Sequence, residues 1–328
     1  MTISQASSCV IRVPNRSFVD FMVSRPTQIR LAEGNSVIKS AQPLAPLTSY
    51  RVGGKAEWYI APRNLQDLRA SVAWAQANQL PITVIGAGSN LLISDRGLPG
   101  LVICTRYLRS VTFNDDLGQV TASAGEPIVR LAWQVAERGW RGLEWAVGIP
   151  GTVGGAVVMN AGAHGSCTAE HLVSATVLLP NGTEQVMMSD SLGYDYRTSV
   201  LQGSDCVVLS ATWQFQPGFD PAMVLAATET DLNQRRATQP YHLPSCGSVF
   251  RNPEPQKAAK LIQDLGLKGY AIGGAQVSEL HANFIVNVGN ATAADVYQLI
   301  GYVQQQVAQQ YGIQLQPEVK ILGDFSSG

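Results

Sequence analysis

Glycine clustering in one quarter of the chain is the feature that most constrains the fold. Fourteen of the 31 glycines fall between Gly86 and Gly165, without a collagen-like period. Glycine is favoured where the backbone turns tightly or approaches another group closely. Charged residues are only 14% of the 328 residues, below the roughly 25% of an average soluble protein. We therefore expect backbone groups, more than charged side chains, to hold a ligand in this region.

Composition argues against several classes of protein. The formal net charge is −1 and the pI is near 6.4, so no nucleic-acid partner is expected. No apolar run approaches the roughly 20 residues that span a bilayer, and residues 1–30 lack a signal-peptide pattern, so neither membrane insertion nor secretion is expected. Five widely spaced cysteines without a C-x-x-C pair and four scattered histidines favour a reduced, cytoplasmic protein without a metal site. We expect a monomer.

The length exceeds the size at which single cores usually divide, which predicts more than one domain. Short apolar runs alternate with helical patterns throughout, and this mixture predicts an α+β fold. Residues 1–43 are polar and weakly periodic and are interpreted as an extension of unknown role. We expect one domain over 44–215, split near residue 105, and a second over 216–328. In the second, a helix is predicted at about 293–311, and the final strand is predicted to alternate over 313–321 with Glu318 on its polar face.

Two glycine loops, at 86–90 and 148–155, are the candidate ligand site. The Gly86-x-Gly88 pair follows a predicted strand, as in a dinucleotide-binding fold. The fingerprint of that fold, however, needs a third glycine where Leu91 stands, and a helix where a second strand is predicted here. We therefore reject the dinucleotide-binding fold. Consecutive N–H groups in such turns can still form an anion-binding nest. The pair of loops suits a diphosphate flanked by larger groups, as in a dinucleotide. The alternative is two tight turns with no ligand.

Six ordered motifs carry a resemblance to a known family. They are Ile85-Gly-Ala-Gly-Ser-Asn-Leu-Leu-Ile-Ser-Asp95, Gly148-Ile-Pro-Gly-Thr-Val-Gly-Gly-Ala156, Tyr194-Asp-Tyr-Arg-Thr-Ser199, Cys246-Gly-Ser-Val-Phe-Arg-Asn-Pro253, Gly266-Leu-Lys-Gly269 and Pro317-Glu-Val-Lys320. Together they resemble the UDP-N-acetylenolpyruvoylglucosamine reductases over about residues 44–323. The resemblance implies non-covalent FAD in a domain of the vanillyl-alcohol-oxidase type over 44–215, and a substrate domain over 216–328. The implied FAD contacts are Gly86, Ala87, Gly88, Ser89, Asn90, Gly148, Ile149, Pro150, Gly151, Gly154, Gly155, Asn160 and Gly162.

The resemblance also implies the reaction and the residues that perform it. NADPH would reduce FAD, and the enolpyruvyl group of UDP-N-acetylglucosamine enolpyruvate would then be reduced to UDP-N-acetylmuramate for peptidoglycan. Arg197, Ser248 and Glu318 fall on the family's catalytic positions, with Ser248 as proton donor. Taken alone, each would be an ordinary turn or surface residue. The implied substrate contacts are Tyr196, Asn252, Lys268 and His281, the last standing where some members have glutamine.

The spacing of the three catalytic positions resembles the shorter subclass, which lacks a tyrosine loop that closes over substrate, so what closes the site here stays open. Two other functions are considered. An oxidase of the same flavin fold, acting on a sugar or alcohol, would turn over with oxygen and without NADPH. A non-catalytic nucleotide-sugar-binding protein would be colourless when purified.

Overall fold

A computed structural model describes residues 27–31 and 36–326 of the chain. The first part contains six strands and one helix: β1 (Gln28–Arg30), β2 (Val37–Pro43), β3 (Lys55–Ile60), α1 (Leu65–Ala77), β4 (Ile82–Ile85), β5 (Leu91–Ile93) and β6 (Leu98–Cys104). Five of the strands form a sheet in the order β1-β2-β3-β6-β4, with β3, β6 and β4 parallel. Strands β1 and β2 lie within the predicted extension, so the sheet begins before the predicted boundary at residue 44. Residues 1–26 of that extension lie outside the described residues.

Both faces of this sheet are buried. In β3, Trp58 and Ile60 pack on one side with Leu68 of α1, whereas Tyr59 packs on the other side. Side chains alternate between the faces of a strand, which explains the division. Asn64 begins α1 by accepting a hydrogen bond from Asp67 N at 2.8 Å, as expected of a capping residue. A sheet covered on both sides leaves the loops at its strand ends as the exposed, functional part.

The second part carries a separate antiparallel sheet in the order β12-β11-β13-β8-β7. Its elements are β7 (Val111–Asn114), β8 (Gln119–Ser123), α2 (Ile128–Ala136), α3 (Val153–Met159), β9 (Gly162–Ala163), β10 (Ser166–Cys167), α4 (Thr168–His171), β11 (Leu172–Leu178), β12 (Glu184–Met188) and β13 (Val207–Gln214). Helices α2 and α3 bury their apolar side chains on this sheet, against Val120, Ala211 and Trp213. No helix was predicted at 153–159, because its glycines have poor helix propensity.

The third part packs one long helix on a small sheet in the order β14-β15-β16. Its elements are α6 (Ala258–Asp264), β14 (Ala271–Ile272), β15 (Ala275–Val277), β16 (Ile285–Asn287), α7 (Ala293–Tyr311) and β17 (Lys320–Leu322). Helix α5 (Pro221–Thr238) precedes them in sequence but packs on the second part, against α2 and the turn at Glu144–Gly148. Helix α7 has the predicted bounds and begins with a capping box between Thr292 and Asp295. Short 3₁₀ turns occupy Ala45–Leu47, Thr105–Tyr107, Glu144–Gly148 and Ser189–Leu192. The mixed helix and strand content, with mainly antiparallel sheets, confirms the α+β prediction.

The predicted final strand over 313–321 is wrong in extent, since only Lys320–Leu322 forms a strand. Pro317 has no N–H to donate to a ladder, and it forms an isolated bridge with Phe250 instead. The alternation is partly correct, because Leu315 and Val319 are buried. Strand β17 pairs in parallel with β5 of the first part. That pairing returns the C-terminal segment to the first glycine loop. In the part of the chain that the structure describes, no helix is long and apolar enough to cross a membrane.

Candidate active site

The first glycine loop, residues 86–90, connects β4 to β5 at the end of the first sheet. Gly88 has φ +67°, and a Cβ there would collide with the carbonyl oxygen of Leu47, so the turn requires glycine. The backbone N–H groups of residues 87–90 donate to no acceptor among the described residues. Arg106 binds the loop from behind, donating to the carbonyl oxygens of Gly86 (3.0 Å) and Ala87 (2.5 Å). The loop is therefore fixed while its N–H groups remain available for an anion.

The second glycine loop was expected over 148–155, but α3 begins at Val153, so the loop ends at residue 152. This loop lies directly against the first. A Cβ on Gly86 would collide with Thr152 Oγ1, and a Cβ on Gly151 would lie 3.6 Å from Ser89 Oγ. Thr152 begins α3 by accepting from Gly155 N at 3.4 Å. The fold thus brings together two loops that are about 60 residues apart in sequence. Their combined backbone surface suits an extended phosphate-containing ligand.

Three other predicted contacts have internal roles in the fold. A Cβ on Gly154 would lie 2.9 Å from Ala124 Cβ, and one on Gly162 would collide with Ser166 O. Asn160, with φ +43°, ends α3, and its amide donates to Asp195 O and accepts from Ala169 N, both at 3.0 Å. These residues shape the wall of the loop pair and position the turn that carries Arg197.

The central polar contact joins Arg197 to Glu318. Arg197 Nε donates to Glu318 Oε1 at 2.7 Å, and Arg197 Nη2 donates to Gly162 O at 2.6 Å. The two side chains are only 20% and 14% exposed. Water screens a largely buried pair less than it screens a surface pair. The Arg197 guanidinium is therefore held between the Glu318 carboxylate and the Gly162 carbonyl oxygen.

The segment carrying Ser248 is attached directly to Glu318. Glu318 N donates to Val249 O at 2.7 Å, and Val249 N donates to Asn283 O at 2.8 Å. The Asn283 amide also binds both backbone groups of Phe250. No described residue forms a hydrogen bond with Ser248 Oγ, which leaves this hydroxyl available for a ligand.

Two contacts tie the C-terminal segments to the first loop. Asn90 Nδ2 donates to Glu318 O at 3.1 Å, and Lys320 N donates to Asn90 O at 2.9 Å. The buried thiol of Cys246 donates to Leu91 O at 3.3 Å, and burial raises its pKa to about 12. Arg197, the Ser248 segment, Glu318 and both glycine loops consequently form one site.

Two of the predicted substrate residues, Tyr196 and Asn252, lie close to the Arg197–Glu318 pair. Tyr196 is 47% exposed, and its ring centroid lies 5.1 Å from the Arg197 guanidinium carbon. Partial burial, and then the Glu318 charge, raise the Tyr196 pKa. Asn252 uses its Oδ1 to accept from Ala258 N at 3.1 Å and thereby supports the start of α6. Its side-chain oxygen is thus already used within the fold.

Lys268 lies close enough to His281 for its positive charge to disfavour protonation of the imidazole. Burial lowers the pKa of His281, and the nearby Lys268 charge lowers it further. His281 Nδ1 accepts from Asn283 N at 3.2 Å, which places the remaining ring proton on Nε2. A neutral imidazole with a defined donor and an adjacent ammonium are suited to a polar or anionic ligand.

Sequence reasoning missed four residues that hold the site. They are Arg106, which fixes the first loop; Gln202 and Lys320, which are hydrogen-bonded at 2.6 Å; and Tyr241, whose hydroxyl donates to Gly148 O at 2.5 Å. Each acts on a backbone group or on a residue distant in sequence, so the sequence alone does not indicate these roles, although Lys320 lies within the motif Pro317-Glu-Val-Lys320. Among the described residues, no group of three or more His, Cys, Asp or Glu could hold a metal ion.

Comparison with known proteins gives a consistent result along the whole chain. A family model described as "FAD binding domain" matches residues 56–187, and one described as "UDP-N-acetylenolpyruvoylglucosamine reductase, C-terminal domain" matches 239–322. Proteins named UDP-N-acetylenolpyruvoylglucosamine reductase are 56% identical in Trichormus variabilis and 57% identical in a Nostoc species, with 100% of both chains covered. A crystal structure of UDP-N-acetylenolpyruvylglucosamine reductase from Thermus caldophilus superposes with a TM-score of 0.73 at 32% identity, covering 88% of this chain and 99% of that one.

Proposed function

This chain belongs to the UDP-N-acetylenolpyruvoylglucosamine reductase family, and on that premise we propose that Arg197, Ser248 and Glu318 carry its reaction. The protein is an FAD-dependent oxidoreductase that reduces the enolpyruvyl group of UDP-N-acetylenolpyruvoylglucosamine in peptidoglycan synthesis. The contact between Arg197 and Glu318, with Ser248 on the adjoining segment, is the observation that supports the assignment of residues.

The two glycine loops fit FAD. Their free N–H groups at 87–90 match a diphosphate, and Gly86 keeps the loops in contact where any side chain would part them. We assign the cofactor to residues 86–90 and 148–151, together with Gly154 and Gly155 at the start of α3, and with Asn160 and Gly162 shaping the wall behind. FAD, when bound, supplies the hydride that adds to the enolpyruvyl double bond, and we propose NADPH as the source of that hydride.

Ser248 is the proposed proton donor. Hydride addition to the enolpyruvyl group leaves negative charge on the carbon next to the carboxylate, and a proton must reach that carbon. A hydroxyl is a weak acid, but a carbanion is basic enough to accept its proton. The Ser248 hydroxyl has no competing acceptor among the described residues, so it can turn toward the substrate.

Arg197 and Glu318 provide the electrostatics of the step. The Arg197 cation stabilises the negative charge that develops beside the substrate carboxylate, and its position is set before the reaction. Glu318 holds the guanidinium through Oε1 and limits the net positive charge of the site. Neither side chain must move to act, since Arg197 is also anchored on Gly162 O.

The substrate diphosphate requires cationic and donor groups on the third part of the chain. We propose residues 216–328 as the substrate domain, with Lys268, His281 and Tyr196 in contact with substrate. For Asn252 we propose contact through groups other than Oδ1, which α6 already uses. We also propose a cytoplasmic monomer of the shorter subclass.

A single assay tests this function. The yellow protein should consume NADPH rapidly only when the enolpyruvyl substrate is present. In Ser248→Ala, reduction of FAD by NADPH should persist, while reduction of the substrate should fall about 10²-fold or more through loss of a general acid. Normal turnover by Ser248→Ala would overturn the proton-donor assignment. Turnover with oxygen alone, or a purified protein without flavin, would contradict the function itself.

A further inference from the structure

Gln202 lies five residues after Arg197, and its side chain makes three hydrogen bonds to three different segments. Its Nε2 donates to Arg197 O at 2.9 Å and to Val158 O at 3.0 Å, and its Oε1 accepts from Lys320 Nζ at 2.6 Å. In the flipped orientation, Oε1 would point at the carbonyl oxygens of Arg197 and Val158, and the NH₂ group would point at the Lys320 ammonium. Donor and acceptor chemistry therefore permits one orientation only.

We propose that Gln202 is a positioning residue that sets the geometry of the Arg197–Glu318 pair, an inference that rests on the proposed function. Gln202 reaches Arg197 through its backbone carbonyl. It reaches the Glu318 segment through Lys320, two residues further along the chain. The same amide is therefore coupled to the segments carrying both members of the pair.

The Arg197 backbone needs such support. Arg197 has φ +55°, in the left-handed region that a non-glycine residue adopts at a free-energy cost. Its carbonyl accepts from Arg251 Nη2 at 3.1 Å as well as from Gln202, so both lone pairs are used. Without Gln202, one of the two side-chain hydrogen bonds to the Arg197 carbonyl is lost. The backbone pair Asp195–Thr198 still closes the turn, so we expect a small displacement of Arg197 relative to Glu318 and no loss of the turn.

Lys320 gives the arrangement its second connection. Burial and the Arg251 charge lower the Lys320 pKa, while the Glu318 charge opposes them. The ammonium is half-buried, and Gln202 Oε1 accepts one of its hydrogen bonds. If Gln202 is replaced, the half-buried Lys320 ammonium, two residues from Glu318, loses this hydrogen bond. Gln202 thus acts on the orientation of Glu318 as well as on that of Arg197.

The test separates the two halves of the reaction. Reduction of FAD by NADPH and subsequent reduction of the enolpyruvyl substrate are measured separately under anaerobic conditions. In Gln202→Leu we expect substrate reduction to fall roughly 10- to 100-fold, the effect of a displacement of about 1 Å in a catalytic group. Flavin content, the flavin absorption spectrum and the rate of FAD reduction should match the wild type. Because Leu removes every hydrogen bond of the side chain, a second variant of the same shape as Gln, Gln202→Glu, is measured beside it. The Glu carboxylate can still accept from Lys320, but it cannot donate to the carbonyl oxygens of Arg197 and Val158. The Gln202→Glu variant should therefore show the same selective loss.

Gln263→Leu is the matched control, because Gln263 is exposed at the end of α6, and it should behave as wild type in both halves. Wild-type substrate reduction in either Gln202 variant would overturn the inference. So would an equal loss of both halves accompanied by loss of flavin, since that marks a purely structural role. A wild-type enzyme that fails to reduce the substrate would instead refute the proposed function.

Discussion

Arg197 Nε donates to Glu318 Oε1 across 2.7 Å, although 121 residues separate the two in sequence. Arg197 lies in a turn between β12 and β13, whereas Glu318 precedes the strand that pairs with β5. The ion pair therefore forms only when the C-terminal strand has returned to the first sheet. Long-range topology therefore assembles the pair to which we assign the electrostatics of the reaction, and the predictions below concern the site built around it.

Glu318→Gln should lower substrate reduction about 10²-fold, comparable to the loss of one preorganised electrostatic partner. The amide can still accept from Arg197 Nε, so the change removes charge while leaving the shape of the site. The measurement is single-turnover reduction of the enolpyruvyl substrate by the reduced enzyme. Glu184→Gln is the control, because Glu184 pairs with Arg69 at 2.5 Å on the surface, where the side chains are 34% and 50% exposed. It should leave activity unchanged and alter stability by less than about 1 kcal/mol. Equal activity in both variants would contradict a role for the Glu318 charge.

Gly86→Ala should reduce FAD content, since the added Cβ would collide with Thr152 Oγ1 and push the two loops apart. The ratio of visible flavin absorption to protein absorption measures this loss. Combining it with Thr152→Ala removes the colliding oxygen and should restore part of the flavin, although loss of the α3 cap costs about 1 kcal/mol. Gly301→Ala is the control, because nothing lies within 4 Å of a Cβ at that position of α7. It should bind FAD normally. Full flavin content in Gly86→Ala would exclude contact between the loops as the basis of binding.

Acidification should destabilise the protein in part through His281. Its folded-state pKa is lowered, mainly by burial, from the ordinary value of 6.5. Below that value the unfolded chain binds a proton at His281 that the folded chain resists, so stability falls as pH decreases from 6.5 toward the folded-state pKa. Above 6.5 this contribution is constant. Urea unfolding at pH about 7.5 and about 5.5 brackets the range in which histidine titrates, and His281→Gln should reduce the difference. The exposed His242 provides the control substitution, His242→Gln, which should preserve the wild-type difference. An unchanged difference in His281→Gln would refute this origin.

Cys246 should resist alkylation in the folded enzyme, because burial raises its pKa to about 12 and only the thiolate reacts. Peptide mass spectrometry after treatment with iodoacetamide gives the fraction modified at each cysteine. Cys167 and Cys206 are partly exposed and should react first, while Cys246 should react only after unfolding. Rapid native labelling of Cys246 would show that the segment before Ser248 opens readily.

Local patterns predicted the elements well. The apolar stripe and capping box of α7 specify that helix from neighbouring residues alone. The short strands around the first glycine loop follow equally from local apolar runs. Prediction failed where tertiary contacts overrule local pattern. Residues 313–319 alternate like a strand, yet Pro317 and the pairing with Phe250 limit the strand to Lys320–Leu322. Helix α3 was missed because Thr152 and the packing of α3 on the second sheet outweigh its two glycines.

Motifs and glycine positions are local properties, so they establish the family, the α+β composition and the two backbone loops from the residues alone. The contact of Gly86 with Thr152, the pairing of Arg197 with Glu318 and the connection of their segments through Gln202 are visible only in the folded chain. Each of these contacts joins segments more than 60 positions apart, and such contacts have no signature in any single stretch of residues. The Arg197–Glu318 pair, for example, depends on the parallel pairing of β17 with β5 and on the left-handed turn at Arg197. The clustered glycines thus form the backbone loops of the site, and the long-range polar contacts position its charged side chains.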